Sequence, residues 1–348
     1  GYQDNKKLFR MKSMKEIGGE FWSEETKSKG LIQDNCAYLL SGRTALDIII
    51  KDIKTQRRFI SVKLPSYCCE SMIEPFERND VEVQFYKVSE YGIDYSFSKT
   101  YDAVLLLDFF GYEMPENKKI AQIEREAGNI VIYDSTHKLN EACIPADYTF
   151  RSYRKWFFCN FATVQKADGS FHTSMPTRVN KDYCDTRNVA AKIKANFIAG
   201  ADIDKQEFLR LFSISEDVLN YDYADYAGLP LYMDVEAIIA ARRRNAQYLI
   251  DKLQDVHGIK LWRPVIKPED TPLFVPILVK DGRRDALKRY LKNHSIYCPV
   301  HWPQCGRHGE YTDLYDEELS LICDQRYSIE DLNREVAVIN NFFNEVQG

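Results

Sequence analysis

The sequence predicts an α/β fold with a large domain on a mostly parallel sheet and a smaller C-terminal α/β domain. Three observations predict it. Short, wholly apolar runs such as Ala103–Leu107 alternate with helical patterns through the first half, and strands apolar on both faces belong in parallel sheets covered by helices. Polar residues stand directly after these runs, where open α/β sheets gather their ligands. Beyond residue 230 the pattern changes to long helices with fewer strands between them. The expected organisation is an N-terminal arm over 1–30, the large domain over 31–230 and the small domain over 231–348.

Taken in order, Thr44–Ile50 opens a helix after Ser41-Gly42. Phe59–Val62 reads as a strand ending at Pro65, Ser71–Phe76 as a helix and Val81–Tyr86 as a strand. Ala103–Leu107 is a strand that ends at Asp108. Asn117–Ala127 is a helix stopped by Gly128, and Asn129–Tyr133 is a strand that ends at Asp134. In the second half, Val235–Leu253 is a long helix, Leu273–Val279 a strand, Arg284–Asn293 a helix, Ile296–Val300 a short strand and Ile329–Phe343 the last helix. Neither an internal repeat nor a low-complexity tract interrupts the order.

Composition narrows the function classes. The 348 residues are 45% hydrophobic and 28% charged, ordinary for a globular protein. A net charge of −5 gives no electrostatic case for nucleic acid. No apolar run approaches the roughly 20 residues of a membrane helix, and Gly1–Lys7 lacks the apolar core of a signal peptide, so a cytoplasmic location is expected. Nine scattered cysteines with no CxxC pair do not suggest a disulfide scaffold. Cys298, His301, Cys305 and His308 could be offered as a zinc site, but paired-knuckle spacing is missing. No metal is expected.

Candidate site residues sit at the expected strand ends. Ser41-Gly42-Arg43-Thr44 precedes a helix; such a turn offers free N–H groups and a positive dipole end to a phosphate, or serves only as a cap. Ser66-Tyr67 follows the Phe59–Leu64 run, and Asp134 with His137 follows the next apolar strand. Arg154-Lys155 alone reads as an exposed basic pair.

The order Ser-Gly-Arg-Thr-Ala-Leu at 41–46, Pro-Ser-Tyr at 65–67, Asp134-Ser-Thr-His137 and Ser152-Tyr-Arg-Lys155 resembles the fold-type-I pyridoxal 5′-phosphate (PLP) enzymes. Within them it is similar to the DegT/StrS family, mostly nucleotide-sugar aminotransferases. The likeness includes 16–22 near the start and 296–303 and 324–328 near the end. It implies the aspartate-aminotransferase fold. It also implies that Lys155 forms the Schiff base with the PLP aldehyde and that Asp134 pairs with the pyridine nitrogen. His137 would lie near the ring's phenolic oxygen or stack on its face. Gly42, Arg43 and Thr44 would hold the phosphate with the Ser152 hydroxyl, and Tyr67, or in its place Cys69, would cover the ring. The implied reaction moves an amino group from glutamate to a keto sugar attached to a nucleotide, with Lys155 as acid and base. The alternatives are another PLP outcome, such as dehydration or an amino-acid transformation, and a degenerate module without catalysis. Dehydrating members usually carry histidine in place of the lysine, which disfavours the first.

Two departures from the family stand out. Cys159-Asn160-Phe161-Ala162 replaces a Gly-Gly pair close to the cofactor and the dimer partner, and Asn220-Tyr221-Asp222 stands where Asn-Tyr-Arg is common. A homodimer with shared sites is also expected. Tyr221, Tyr223, Tyr226, Leu229, Leu231 and Tyr232 crowd a segment without regular period, and such rings favour an interface or pack over their own domain.

Overall fold

The computed structural model describes residues 14–22, 36–141, 144–176, 180–218, 234–304, 306 and 312–345. Its first strand is β1 (Ile17–Gly18). The large sheet then grows from β2 (Ala37–Leu39), β3 (Ser61–Pro65), β4 (Glu82–Ser89), β5 (Gly92–Asp94), β6 (Ala103–Leu107), β7 (Ile130–Asp134), β8 (Tyr148–Ser152) and β9 (Ala162–Lys166). Three helices connect them: α1 (Gly42–Gln56), α2 (Glu70–Arg78) and α3 (Asn117–Glu126).

In space the order is β2-β9-β8-β7-β6-β3-β4-β5. The five central strands are parallel, and β2, β9 and β5 join antiparallel at the two sides. Every residue of β3 and β6 is buried, as strands between two helical layers require, although only β6 is wholly apolar. From β3 the chain builds outward through β4 and then resumes on the other flank with β6, β7 and β8. The β3/β6 boundary is therefore a switch point, where a crevice opens at the strands' carboxyl ends. Helix α1 starts from Ser41, whose Oγ accepts the Thr44 N–H at 3.2 Å. Its Ile48, Ile49 and Ile50 are all buried, so this turn has no solvent face.

Helices α4 (Lys181–Ile198) and α5 (Lys205–Val218) pack on each other. The chain then forms α6 (Val235–Leu253), β10 (Ile259–Leu261), β11 (Val275–Val279), α7 (Arg284–Asn293), β12 (Ile296–Tyr297), α8 (Leu314–Glu317), β13 (Glu318–Leu321) and α9 (Ile329–Asn344). Strands β10, β11 and β13 make a second, antiparallel sheet. Its core joins Leu249 and Leu253 of α6, Leu287 and Leu291 of α7 and Leu332, Ile339 and Phe343 of α9. The N-terminal β1 pairs in parallel with β12. Gly18 is required there: its φ is +93°, and an added Cβ would stand 2.4 Å from the Tyr297 carbonyl oxygen.

Two predicted strands are shorter than the apolar runs suggested. Leu273 gives its N–H to the Phe110 carbonyl at 2.8 Å, tying this stretch to the large sheet's loops before β11 begins. Pro299 lacks an N–H, and its carbonyl accepts the Ser320 N–H at 3.0 Å, so β12 stops at Tyr297. No helix among the described residues is long and apolar enough to cross a membrane.

Candidate active site

A cavity of about 210 Å³ lies over the switch point. Three parallel strands end at it, β6 with Leu107, β7 with Asp134 and β8 with Ser152, and the first turn of α1 contributes Ser41, Gly42 and Arg43. The Gly42 and Arg43 N–H groups have no acceptor among the described residues, as expected at the first turn of a helix. Thr44 departs from expectation: Ser41 occupies its N–H, and its hydroxyl lies 3.1 Å from the Ser41 Oγ.

Asp134 is buried, and its Oδ1 accepts the Thr136 N–H at 2.8 Å. Burial raises its pKa, against the opposing pull of Thr136 and the Lys155 charge. No cation reaches it within ion-pair distance among the described residues. His137 Nδ1 accepts the Phe110 N–H at 3.0 Å, which assigns the neutral ring's proton to Nε2. Burial, then the charges of Lys155 and His301, hold this ring well below the usual imidazole range. Trp302 stacks on it at 5.6 Å with 22° between the planes. The turn is supported from below by Gly111, whose added Cβ would meet the His137 carbonyl oxygen at 2.6 Å.

Lys155 ends a single 3-10 turn after β8. Its amine makes no hydrogen bond or ion pair to any described residue. Burial lowers its pKa and the adjacent Arg154 charge adds to this, while Cys69, Asp134 and Glu20 oppose it. More of the amine is therefore neutral near pH 7, the nucleophilic form. Arg154 turns away, to Glu216 of α5 at 2.5 Å and Tyr183 of α4 at 3.2 Å. Trp156 fixes the turn: its indole donates to the Thr136 carbonyl at 2.9 Å, and its own carbonyl accepts from Gln325 at 2.6 Å.

Tyr67 does not cover this cavity. It is fully buried among Phe109, Trp262, Trp302 and Tyr315. Cys69 lines the cavity instead, with Trp302, which the sequence reading did not single out. The 159–162 loop departs from expectation too: Cys159, Asn160, Phe161 and Ala162 are buried in their own chain and line neither this cavity nor the next. Of the zinc candidates, Cys298 donates to Glu335 at 3.4 Å and His301 meets Ser320; Cys305 and His308 lie outside the described residues. So do 219–233, with the Asn220-Tyr221-Asp222 departure and the tyrosine-rich segment.

A second cavity of about 540 Å³ meets the first at Arg154 and Lys155. Six cationic side chains line it, Arg154, Lys155, Arg242, Lys288, Lys292 and Arg326, against the carboxylates of Glu20 and Asp324. Arg326 is held by Asp324 at 2.8 Å. Arg242 is buried on neutral acceptors, the Leu273 carbonyl at 2.8 Å and Gln325 Oε1 at 2.9 Å. Lys288 and Lys292, one turn apart on α7, make no ion pair among the described residues.

Residues 231–329, which supply most of this second cavity, match the model of the DegT/DnrJ/EryC1/StrS aminotransferase family. Solved structures agree on the fold across the whole chain. PseC from Helicobacter pylori, an aminotransferase involved in the biosynthesis of pseudoaminic acid, superposes with a TM-score of 0.66 at 11% identity, covering 95% of this chain and 100% of that one. DesI, solved in the presence of its TDP-sugar product, gives a TM-score of 0.60 at 14% identity, covering 88% and 80%. The Bacillus subtilis protein ntda, with bound cofactor PMP, gives 0.59 at 13% identity, covering 89% and 73%. No curated protein matches the sequence. The DegT/DnrJ/EryC1/StrS match thus falls on the C-terminal α/β region, while the strand-end residues from 41 to 155 lie outside the matched segment.

Proposed function

We propose that this protein is a PLP-dependent aminotransferase that moves an amino group from glutamate to a keto sugar attached to a nucleotide, as a homodimer in the cytoplasm. One observation carries this reading. The amine of Lys155, without a hydrogen bond or ion pair among the described residues, stands where a strand-end cavity holding Asp134 and His137 meets a cation-lined cavity large enough for a substrate. The family of the 231–329 segment and the TDP-sugar product of DesI support the substrate class.

The donor set fits PLP. Among the described residues Asp134 is a buried carboxylate without a cation in ion-pair reach and Gly42 and Arg43 offer N–H groups without an acceptor at a helix start, while Lys155 offers an amine of lowered pKa. When bound, PLP supplies an aldehyde carbon and an electron-withdrawing ring. Asp134 would hold the proton on the ring nitrogen. The first turn of α1 and the Ser152 hydroxyl hold the phosphate. Lys155 Nζ would hold the cofactor aldehyde at rest and would serve as the acid and base for the proton on the donor's Cα. His137, neutral with its proton on Nε2, would offer that N–H to the cofactor. Anionic groups of both substrates meet Lys288, Lys292 and Arg326. The test is the absorbance of the PLP-loaded protein: glutamate should shift it and a nucleotide-linked keto sugar should return it. A spectrum indifferent to every amino donor would overturn the reading.

A further inference from the structure

In β13 side chains alternate between two faces. Leu319 and Leu321 enter the core of the C-terminal region, so Glu318 and Ser320 share the opposite face. The His301 backbone is fixed beside that face. Its N–H donates to Glu318 Oε2 at 2.8 Å, and the Pro299 carbonyl accepts the Ser320 N–H. The side chains then form one line: the Ser320 hydroxyl bonds Glu318 Oε1, and His301 Nδ1 lies 2.8 Å from Ser320 Oγ. The far ring atom, His301 Nε2, has no hydrogen bond among the described residues, and His301 lines the larger cavity with Lys155.

We propose that Glu318, Ser320 and His301 form a proton relay, through which His301 exchanges protons with a substrate beside Lys155 while its ring stays neutral. The proposal rests on reading the larger cavity as the substrate site. With Glu318 ionised, Ser320 donates to it, His301 Nδ1–H donates to Ser320, and Nε2 presents a lone pair. A proton arriving at Nε2 releases the one on Nδ1 to Ser320, whose own proton passes to Glu318. Proton count is conserved, and the charge change falls on Glu318 rather than on the ring.

The surroundings favour that placement. Lys155 and Lys288 face His301, and the His137 ring lies 6.0 Å away. Burial, then those two charges, holds His301 well below the usual imidazole range, so an imidazolium is disfavoured. Glu318 feels Arg284 and Lys288 of α7, and its charge reaches Tyr67 and Cys298. Burial dominates and pushes its carboxyl up to about 8, against the hydrogen bonds from Ser320 and His301. A folded-state pKa above the ordinary value keeps Glu318 protonated through neutral pH. The Nε2–H form therefore prevails below about pH 8 and the bare Nε2 above it.

The test is the ¹⁵N spectrum of the histidine rings in the isolated protein, titrated from about pH 6 to about pH 10, with His301 assigned by its absence in His301→Asn. The relay predicts a neutral ring throughout, whose proton moves from Nε2 to Nδ1 with a midpoint near 8. Glu318→Gln should leave one tautomer at every pH, and Ser320→Ala should uncouple the ring from the carboxyl. In turnover, Glu318→Gln should lose the inflection near that pH and lower kcat about 100-fold at unchanged KM. A His301 ring that becomes cationic in this range, a tautomer that ignores pH, or an unchanged kcat profile in Glu318→Gln would overturn the relay. A moving tautomer in a protein that transfers no amino group would instead sink the functional reading and leave the relay's proton path standing.

Discussion

The two cavities that meet at Lys155 are built on opposite plans. The smaller stands on the carboxyl ends of consecutive parallel strands and a helix start, and its members Ser41, Asp134 and Ser152 are each the terminal or capping residue of an element. The larger is assembled from Gly19–Phe21, α6, α7, the loop at 298–301 and residues 322–326, segments remote in sequence. The first holds one carboxylate, Asp134, which no cation reaches within ion-pair distance among the described residues, with Arg43, Arg154 and Lys155 also on its lining. The second carries six cations against two acids. The difference fits the proposed division of labour, in which the first would position a cofactor's reactive end and the second would attract anionic substrates. Lys155 lines both, as the proposed role between cofactor and substrate requires.

The comparison can be broken at four points, in falling order of effect. Lys155→Ala should lower amino transfer by about 10⁴-fold or more while the far-ultraviolet circular dichroism stays native, because the nucleophile and the proton carrier are lost together. Retained turnover would remove Lys155 from the junction. Phe161→Ala should cost about 3–5 kcal/mol in denaturant unfolding, since this ring is 1% exposed and packs on Tyr153 at 5.3 Å and Tyr38 at 5.7 Å. A small cost there, with altered substrate affinity, would return the 159–162 loop to the site entrance. Asp134→Asn should keep PLP bound but remove a charge-assisted bond of about 1.5–3 kcal/mol, roughly 10- to 150-fold in kcat. Lys288→Gln with Lys292→Gln should raise KM for the nucleotide-linked substrate roughly two- to tenfold, more at low salt, with kcat unchanged. A change in kcat alone would place these lysines in the chemistry rather than in recognition.

The smaller cavity was legible because parallel strands announce their own ends. An apolar run stops at a polar residue, as at Asp134, and the Ser-Gly start of α1 marks its first free N–H groups. The Thr44 N–H is taken by Ser41, the capping role that the Ser-Gly start also allowed. Tyr67 was misread because sequence distance does not reveal which way a loop turns after β3: its ring enters the core and Cys69, two residues on, reaches the cavity. The larger cavity was legible only in part: the stretches 16–22, 296–303 and 324–328 that carried the family likeness line it, but tertiary packing alone brings Arg242 and Lys288 to them. Two signals were available in hindsight of the fold: the one-turn spacing of Lys288 and Lys292 on α7, and the alternation of Glu318 and Ser320 in β13.

The central claim is that Lys155 is the residue that binds the cofactor. Borohydride reduction of the PLP-loaded protein, followed by proteolysis and mass spectrometry of the peptides, tests it most directly. The account predicts a single pyridoxyl adduct on Lys155. Lys166 is the nearest rival along the chain, but its amine is held by Asp52 at 2.9 Å and by the Ser170 carbonyl at 2.7 Å, outside both cavities. An adduct on Lys166, or on any lysine other than Lys155, would contradict the assignment.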